Sequence, residues 1–302
     1  MQILITGGTG FIGRHLAHEL AERDHEVTAL ARNPDPTVLP DGTETVEGDV
    51  TDPDSLESAF EGQDAVVNLV ALSPLFKPDG GDEQHHRIHR GGTKHCLAAA
   101  ESAGVGRFLQ LSALGADSDG PTHYIRAKGE AEELVKVSTL EWTIVRPSVV
   151  FGEGDEFVGF TKRLKRMFAP GVPLYPLPGG GDRTRFHPIH VGDFVPMLAA
   201  CLEDDEHIGQ TYELGGPEVL TLREVTNLVY EAEGKSITIV PLPMPVAKLG
   251  LTLMDIAPGM ALGRDQYRSL QFDNTVSEND ISTFGVDESE LLTLSEYLDT
   301  RQ

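Results

Sequence analysis

Tyr124 and Lys128 stand four residues apart in Tyr124-Ile-Arg-Ala-Lys128, a spacing that puts both on one face of a helix, about one turn apart. A phenol beside an ammonium is an acid/base pair. Lys128 can lower the Tyr124 pKa by its charge and bind ribose hydroxyls, while Tyr124 gives or takes a proton as hydride moves to or from a carbonyl carbon. Such a pair needs a hydride carrier, and the start of the chain offers a place for one. Gly7, Gly10 and Gly13 lie in Thr6-Gly-Gly-Thr9-Gly10-Phe11-Ile12-Gly13, between an apolar run and an amphipathic one. A tight Gly-rich turn from strand to helix points backbone N–H groups at an anion, and a dinucleotide pyrophosphate is the anion that fits. A Cβ at these glycines is expected to push the phosphate away.

Further residues fall where a dinucleotide would touch. The second apolar run ends Ala29-Leu30-Ala31-Arg32, with Ala31 where an acid would bind a ribose 2′-OH. Arg32, and Arg14 just past the last glycine, can pair with a 2′-phosphate, so NADP(H) is expected over NAD(H). A solvated surface charge is the plainer reading of Arg32. Asp49, before Val50, can accept the adenine amino group, although an Asp after a strand is also an ordinary turn residue. Asn68 and Ala71 follow the fourth strand, beside the expected ribose and pyrophosphate path.

These residues require a scaffold that alternates strand and helix. Strands are expected at 2–6, 26–31, 43–47, 65–69, 107–111 and 143–146, with helical patterns near 11–22, 54–60, 83–102 and 124–137. Alternation of this kind predicts an α/β fold, a doubly wound parallel sheet with ligands at the carboxyl ends of its strands. Residues 1–150 are expected to form the dinucleotide-binding domain. Residues 151–302 are expected to form a smaller substrate or lid region, with about 186–216 returning to the sheet. Residues 220–233 read as a helix with a Thr cap. The apolar segment 241–262, broken by prolines and charges, reads as a lid helix over a substrate cleft or an interfacial helix rather than a membrane span.

The 302 residues carry 48 acids against 24 Lys and Arg, a formal charge of −24. This argues against general nucleic-acid binding, which needs a basic footprint. Cys96 and Cys201 have no C-x-x-C partner and read as reduced thiols of a cytoplasmic protein. The strand beginning at residue 2 argues against a signal peptide.

Across nearly its whole length the chain resembles an extended or atypical short-chain dehydrogenase/reductase. The residues that carry the resemblance are the T-G-x-x-G-x-x-G turn, Asp49, Asn68, Leu111-Ser112-Ala113, Tyr124 with Lys128, and Val145-Arg-Pro147-Ser-Val-Val150-Phe-Gly152. Pro188-Ile-His-Val-Gly-Asp193 and Tyr212-Glu-Leu-Gly-Gly216 extend it. Ser112-Ala-Leu-Gly-Ala116 and Tyr124-Ile-Arg-Ala-Lys-Gly-Glu130 make it most similar to the branch of the nucleotide-binding accessory subunit of respiratory complex I. The resemblance implies Ser112 as a helper of Tyr124 and Lys128, and cofactor contacts from the glycine turn, Pro147 and Val150. Ala113 and Leu114 stand where active relatives place a second Ser or Thr, so one donor to the substrate carbonyl is missing.

Three functions follow from the resemblance. The first is an NADP(H)-binding oxidoreductase on a lipophilic carbonyl or alcohol. The second is a non-catalytic nucleotide-binding module of a membrane respiratory or quinone-related assembly, peripheral at the inner face of the membrane. The third is a nucleotide-sugar epimerase or dehydratase, disfavoured by the short connection from Ser112 to Tyr124. Dimers are common in the wider group.

His85, His86 and His89 read as a polar helix face rather than a metal site. Lys162-Arg-Leu-Lys-Arg166, the basic run, suits a diphosphate, anionic lipid headgroups or solvent.

A surface this acidic suits high salt, where screening relieves self-repulsion, and a salt-loving source is the expectation. The chain is expected to unfold faster in dilute buffer than in molar KCl; equal rates in the two would remove the salt adaptation.

Overall fold

The computed structural model describes residues 1–256, 262–269 and 271–301. Its elements run β1 (Gln2–Thr6), α1 (Phe11–Glu22), β2 (Glu26–Ala31), β3 (Glu44–Glu47), α2 (Glu57–Phe60), β4 (Ala65–Asn68), α3 (Glu83–His85), α4 (Gly92–Ala103), β5 (Arg107–Leu111), α5 (His123–Lys136) and β6 (Glu141–Pro147). They continue with β7 (Val150–Phe151), α6 (Phe157–Phe168), β8 (Leu174–Pro178), β9 (Arg185–Phe186), β10 (Ile189–His190), α7 (Val191–Glu203), β11 (Thr211–Leu214), β12 (Leu220–Thr221) and α8 (Leu222–Glu231). The last are β13 (Thr238–Leu242), α9 (Met244–Ile256), α10 (Arg264–Ser269) and α11 (Leu294–Asp299).

Two compact units result. The first comprises Met1–Leu72, Gly80–Pro147 and Val191–Glu213; the second comprises Ser73–Asp79, Ser148–His190 and Leu214–Gln302.

The first unit is built on a seven-stranded sheet in the order β11-β6-β5-β4-β1-β2-β3. β1 pairs in parallel with β2 and β4, and the parallel pairing continues from β2 to β3, from β4 to β5 and from β5 to β6. Strand order reverses between β1 and β4, which opens a crevice at their carboxyl ends. β4 and β5 are buried at every position, as strands covered on both faces must be. Leu4, Phe60, Val66, Cys96, Phe108, Val135 and Ile144 form one core cluster, with Trp142 packed against it. Helices α1 and α7 pack together. Both cysteines are free and buried, and burial pushes each thiol up to about 12.

The return to the sheet is narrower than the 186–216 expected. Pro188 separates two short strands that pair elsewhere: β9 runs antiparallel to β12, and β10 runs parallel to β7. From Val191 the apolar spacing is helical, and β11 alone of this stretch joins the sheet, beside β6. The helical stretch expected over 83–102 runs without a break as α3, a π-helical turn over His86–Gly91, and α4.

In the second unit β8 and β13 pair in parallel, with Leu174 opposite Thr238 and Pro178 opposite Leu242. One core gathers Phe151, Phe157, Val225, Val229, Leu294 and Leu298, and another gathers Leu164, Tyr175, Leu177, Leu222, Tyr230 and Leu251. The Thr cap expected near 220 is Thr221. Its hydroxyl accepts the Glu224 N–H while the Glu224 carboxylate accepts the Thr221 N–H, closing both ends of a capping box. The segment 241–262 begins in β13 and continues as α9; its residues 257–261, Pro258 among them, lie outside the described residues. Among the described residues no helix is long and apolar enough to cross a membrane.

Candidate active site

The glycine turn after β1 divides its work among four glycines. Gly7 has φ +78°, a left-handed conformation that a side chain disfavours. A Cβ on Gly8 would stand 2.6 Å from the Ala29 Cβ, so Gly8 lets the turn lie against β2. A Cβ on Gly13 would stand 2.3 Å from the Gly7 carbonyl oxygen, so Gly13 lets α1 lie against the turn. At Gly10 an added Cβ would meet only the Gly7 oxygen, at 3.0 Å. Of the three glycines of the motif, Gly10 alone is exposed, on the side where a phosphate would approach, and Gly7 and Gly13 serve the turn itself. Gly8, which the spacing did not single out, is as constrained as either. Gly10 is the N-cap of α1 and supplies no side-chain cap. The first N–H groups of α1, from Phe11, Ile12 and Gly13, have no partner one turn back within the helix, as at any helix start. The cradle therefore fits a pyrophosphate in shape and in charge. Thr9 and Arg14 flank it, both partly buried.

Arg32 is exposed just past β2, and its charge helps hold the Asp49 carboxyl low. Burial pushes Asp49 up, but hydrogen bonds from Thr51, then the charges of Arg32 and Arg87, bring it below the usual carboxylate range. One Asp49 oxygen accepts both the Thr51 N–H (2.8 Å) and the Thr51 hydroxyl (2.9 Å), an Asx turn. The Val50 side chain is buried and occupies the space beside Gly92, while its carbonyl bonds to His95 (2.8 Å). Asn68 is spent inside the sheet. Its carbonyl accepts the Thr6 hydroxyl (2.7 Å), and its amide donates to Thr93 (3.1 Å) and Gln110 (2.9 Å). Ala71, by contrast, is exposed beyond the strand end. Pro147 is buried at the last position of β6, and Val150 lies in β7 of the second unit.

Thr122 caps α5 by accepting the Ile125 N–H (3.2 Å), which fixes where the helix carrying Tyr124 begins. Lys128 is 1% exposed, donates to the Leu111 carbonyl (2.9 Å), and places its nitrogen 5.9 Å from the centre of the Tyr124 ring. Burial pulls the Lys128 pKa down to about 8, against the opposing pull of Glu132. Burial also pushes the Tyr124 phenol up.

The structure corrects the reading of His85 and His89 as a polar face. Both are buried, and their rings meet the Tyr124 ring edge to face at 5.6 and 5.2 Å. The π-helical turn delivers His89 to this place, and such turns recur at functional sites. His89 Nε2 accepts the Leu72 N–H (2.9 Å), so a neutral ring carries its proton on Nδ1, which has no hydrogen-bond partner. Burial, then the charges of Lys128, His85 and His86, hold its pKa well below the ordinary value.

Ser112 is not directed at an open site: its hydroxyl donates to the Glu132 carboxylate (2.6 Å). Glu132, 2% exposed, also accepts from Arg146 through both nitrogens (2.8 and 2.7 Å) and from Lys136 (3.1 Å). Arg146 continues to Glu213 of β11 (3.1 Å). The signal for Glu132 is visible in the sequence, since it follows Tyr124 and Lys128 at the same spacing of four. Among the described residues, a different histidine pair forms a ligand-like cluster. His86, His123 and Glu83 bring ligand atoms within 4.8 Å of one another, although His86 is also within 3.2 Å of Glu130.

A sequence family described as NAD(P)H-binding matches residues 7–166. The chain is 31% identical over 292 residues to NADH dehydrogenase [ubiquinone] 1 alpha subcomplex subunit 9, mitochondrial, of Arabidopsis thaliana, covering 91% of this chain and 71% of that one. It is 29% identical over 264 residues to 2-alkyl-3-oxoalkanoate reductase of Stenotrophomonas maltophilia (strain K279a), covering 78% and 76%. Its fold matches a nucleoside-diphosphate-sugar epimerase from Staphylococcus aureus with a TM-score of 0.74, covering 99% of this chain and 100% of that one at 21% identity. The chain belongs to the NAD(P)H-binding family and is similar to extended short-chain dehydrogenases/reductases, with the fold of the solved epimerases. Within that class it is similar to the alpha subcomplex subunit 9 of complex I.

The buried carboxylate sets an acid limit on the first unit. Burial pushes Glu132 up, but its bonds to Arg146 and Ser112, the Arg146 charge and the bond to Lys136 leave it below the usual range. A lowered folded pKa means that the stabilisation is present above the unfolded value, ~4.3, and is lost as pH falls through the folded value. Glu132→Ala leaves Arg146 half-paired and is expected to lower unfolding free energy by ~3 kcal/mol at neutral pH. The difference from wild type should shrink on acidification. Denaturant unfolding at neutral and acid pH reads both; a difference that is small, or that grows in acid, would contradict the role given to Glu132.

Proposed function

We propose that the protein is an NADP(H)-dependent oxidoreductase acting on a lipophilic carbonyl or alcohol, with Tyr124 as acid/base and Lys128 as its charge partner. The observation that carries this reading is the buried Lys128 ammonium one turn from Tyr124 on α5, inside the unit that holds the glycine cradle. Gly10 and the amides of Phe11, Ile12 and Gly13 would hold the pyrophosphate, and Thr9 would border it. Arg32 and Arg14 would take the 2′-phosphate; an NAD(H) site is the alternative. The free oxygen of Asp49 and the chain beyond Asn68, at Ala71, would border the adenosine. Pro147 and Val150 are contacts that the family resemblance implies. When bound, the nicotinamide supplies or accepts the hydride.

Lys128 spends one N–H on Leu111, which leaves two for ribose hydroxyls. Near neutral pH it is mostly charged, and with its nitrogen 5.9 Å from the ring centre that charge would oppose the effect of burial on Tyr124. His85 and His89 wall the phenol, and His89, its pKa held well below the ordinary value, adds no competing positive charge. Ser112 acts as an anchor to Glu132 rather than as a carbonyl donor. The relative whose name specifies a 2-alkyl-3-oxoalkanoate supports a lipophilic carbonyl as the substrate class.

The commitment of Ser112 to Glu132 favours a second reading, a nucleotide-binding module that has lost efficient chemistry and associates with a respiratory assembly at the membrane surface. The 31% identity to the complex I subunit supports it too.

Tyr124→Phe is expected to lower the rate of NADPH oxidation with a medium-chain ketone by at least ~100-fold, as loss of a general acid does, while NADPH binding is retained. Undiminished turnover would remove Tyr124 from the reaction, and no turnover by wild type across a ketone series would leave the second reading. Arg32→Ala is expected to weaken NADPH at least ~10-fold, the cost of one charged hydrogen bond, with NADH unaffected. Equal losses for the two cofactors would refute the assignment of Arg32.

A further inference from the structure

The second unit holds an apolar cavity of about 240 Å³ that the proposed chemistry does not use. Its wall includes Phe160, Leu164 and Phe168 of α6, Tyr175 of β8, and Val246 and Leu251 of α9. The three α6 residues recur every four positions, so one stripe of that helix faces the void. Both polar side chains of the wall are already engaged by the protein. The Tyr175 hydroxyl donates to the Thr161 carbonyl (2.8 Å). The Gln266 carboxamide accepts the Gly263 N–H (2.8 Å) and donates to the Pro74 carbonyl (3.4 Å). A lining of this kind rejects sugars and nucleotides and accepts hydrocarbon.

The void is larger than the ~150 Å³ engineered apolar cavity that binds benzene, and it holds about eight methylene-sized groups at ~30 Å³ each. Phe168 and Val246 line it and are also 43% and 53% exposed, so it opens to water between α6 and α9. Beside that opening α6 carries the basic run. Lys162 pairs with Glu233, and the Arg163 guanidinium stacks on Phe76 at 4.1 Å. Lys165 and Arg166 have no carboxylate partner among the described residues, although the chain has twice as many acids as bases. Lys165 precedes Phe168 by three residues, which places the two as neighbours on the helix surface.

We infer that the second unit binds a single-chain anionic amphiphile, its alkyl chain in this cavity and its headgroup at Lys165 and Arg166. The depth of the apolar lining, which reaches buried Tyr175, Leu177 and Leu222, favours one inserted chain over a flat membrane contact. The inference goes beyond the proposed function and stands on residues of the second unit alone.

Titration calorimetry of the full chain with decanoate, without nucleotide, tests it. Wild type is expected to show saturable one-to-one binding. Gly250 lines the cavity, and a Cβ added there meets nothing within 4 Å, so a larger side chain can start at this position, and Gly250→Phe is the variant chosen to fill the void. That variant is expected to melt no lower than wild type and to bind decanoate at least ~10-fold more weakly, the equivalent of about two buried methylenes. Joint replacement of Lys165 and Arg166 by Ala should weaken decanoate and leave decanol unchanged. Failure of wild type to bind decanoate, or undiminished binding by a folded Gly250→Phe variant, overturns the site. Retention on anionic vesicles without decanoate binding also overturns it and assigns the basic helix to a membrane surface. Ketone reduction that proceeds while decanoate fails to bind sinks this site and leaves the oxidoreductase reading intact.

Discussion

The buried carboxylate of Glu132 holds the first unit's working helix to its sheet. Four groups converge on it or on its partner: Ser112 after β5, Arg146 of β6, Lys136 one turn along α5, and Glu213 of β11 through Arg146. A carboxylate removed from water is costly unless its lone pairs are filled, and here they are filled from three elements. The return is positional. Two turns before Glu132 on the same helix face is Tyr124, and one turn before it is Lys128, so the pair that fixes α5 in rotation also fixes the phenol and the ammonium. Ser112 is drawn into this support, which explains why a serine at the expected strand end does not point into open space.

Glycines and the buried amide network set the other side of the site. Gly8 against Ala29 and Gly13 against Gly7 bring β2 and α1 so close to the first turn that no side chain fits, leaving Gly10 as the exposed floor of the cradle. In register across the sheet, Thr6 stands beside Asn68 and Asn68 beside Gln110, and their side chains bond to one another and to Thr93. Polar residues at the carboxyl ends of β1, β4 and β5 thus satisfy each other internally. They hold the strand ends rigid, and the ligand-facing work falls to the backbone just beyond them.

Much of the first unit was legible in the sequence because its signals are local. Apolar runs of five or six residues gave β1, β2 and β5 to the residue, and the one-turn spacing of Tyr124 and Lys128 needs only helical geometry. Contacts between residues distant in sequence were not legible. Nothing in the run His85 to His89 distinguishes a solvated face from a buried one until α5 packs against it, and Asp49 reads equally as a ligand or a turn until Thr51 is seen to occupy it. The short strands from Val150 to Leu220 carry too few residues for alternation to register, so the breadth of the return to the sheet could not be set from spacing.

The environment of Tyr124 contains a tension that decides what the site can do. Burial alone makes the phenol a poorer acid, and burial alone makes Lys128 a poorer cation, so packing the pair more tightly works against the chemistry. Two features oppose this. Glu132, one turn beyond Lys128, favours the charged ammonium, and the Leu111 carbonyl accepts one of its protons. His89 contributes by remaining neutral: a second cation there would compete with Lys128 for that stabilisation. The wall around Tyr124 is therefore aromatic and uncharged at His89, and the positive charge of Lys128, whose position Glu132 secures, is directed at the phenol.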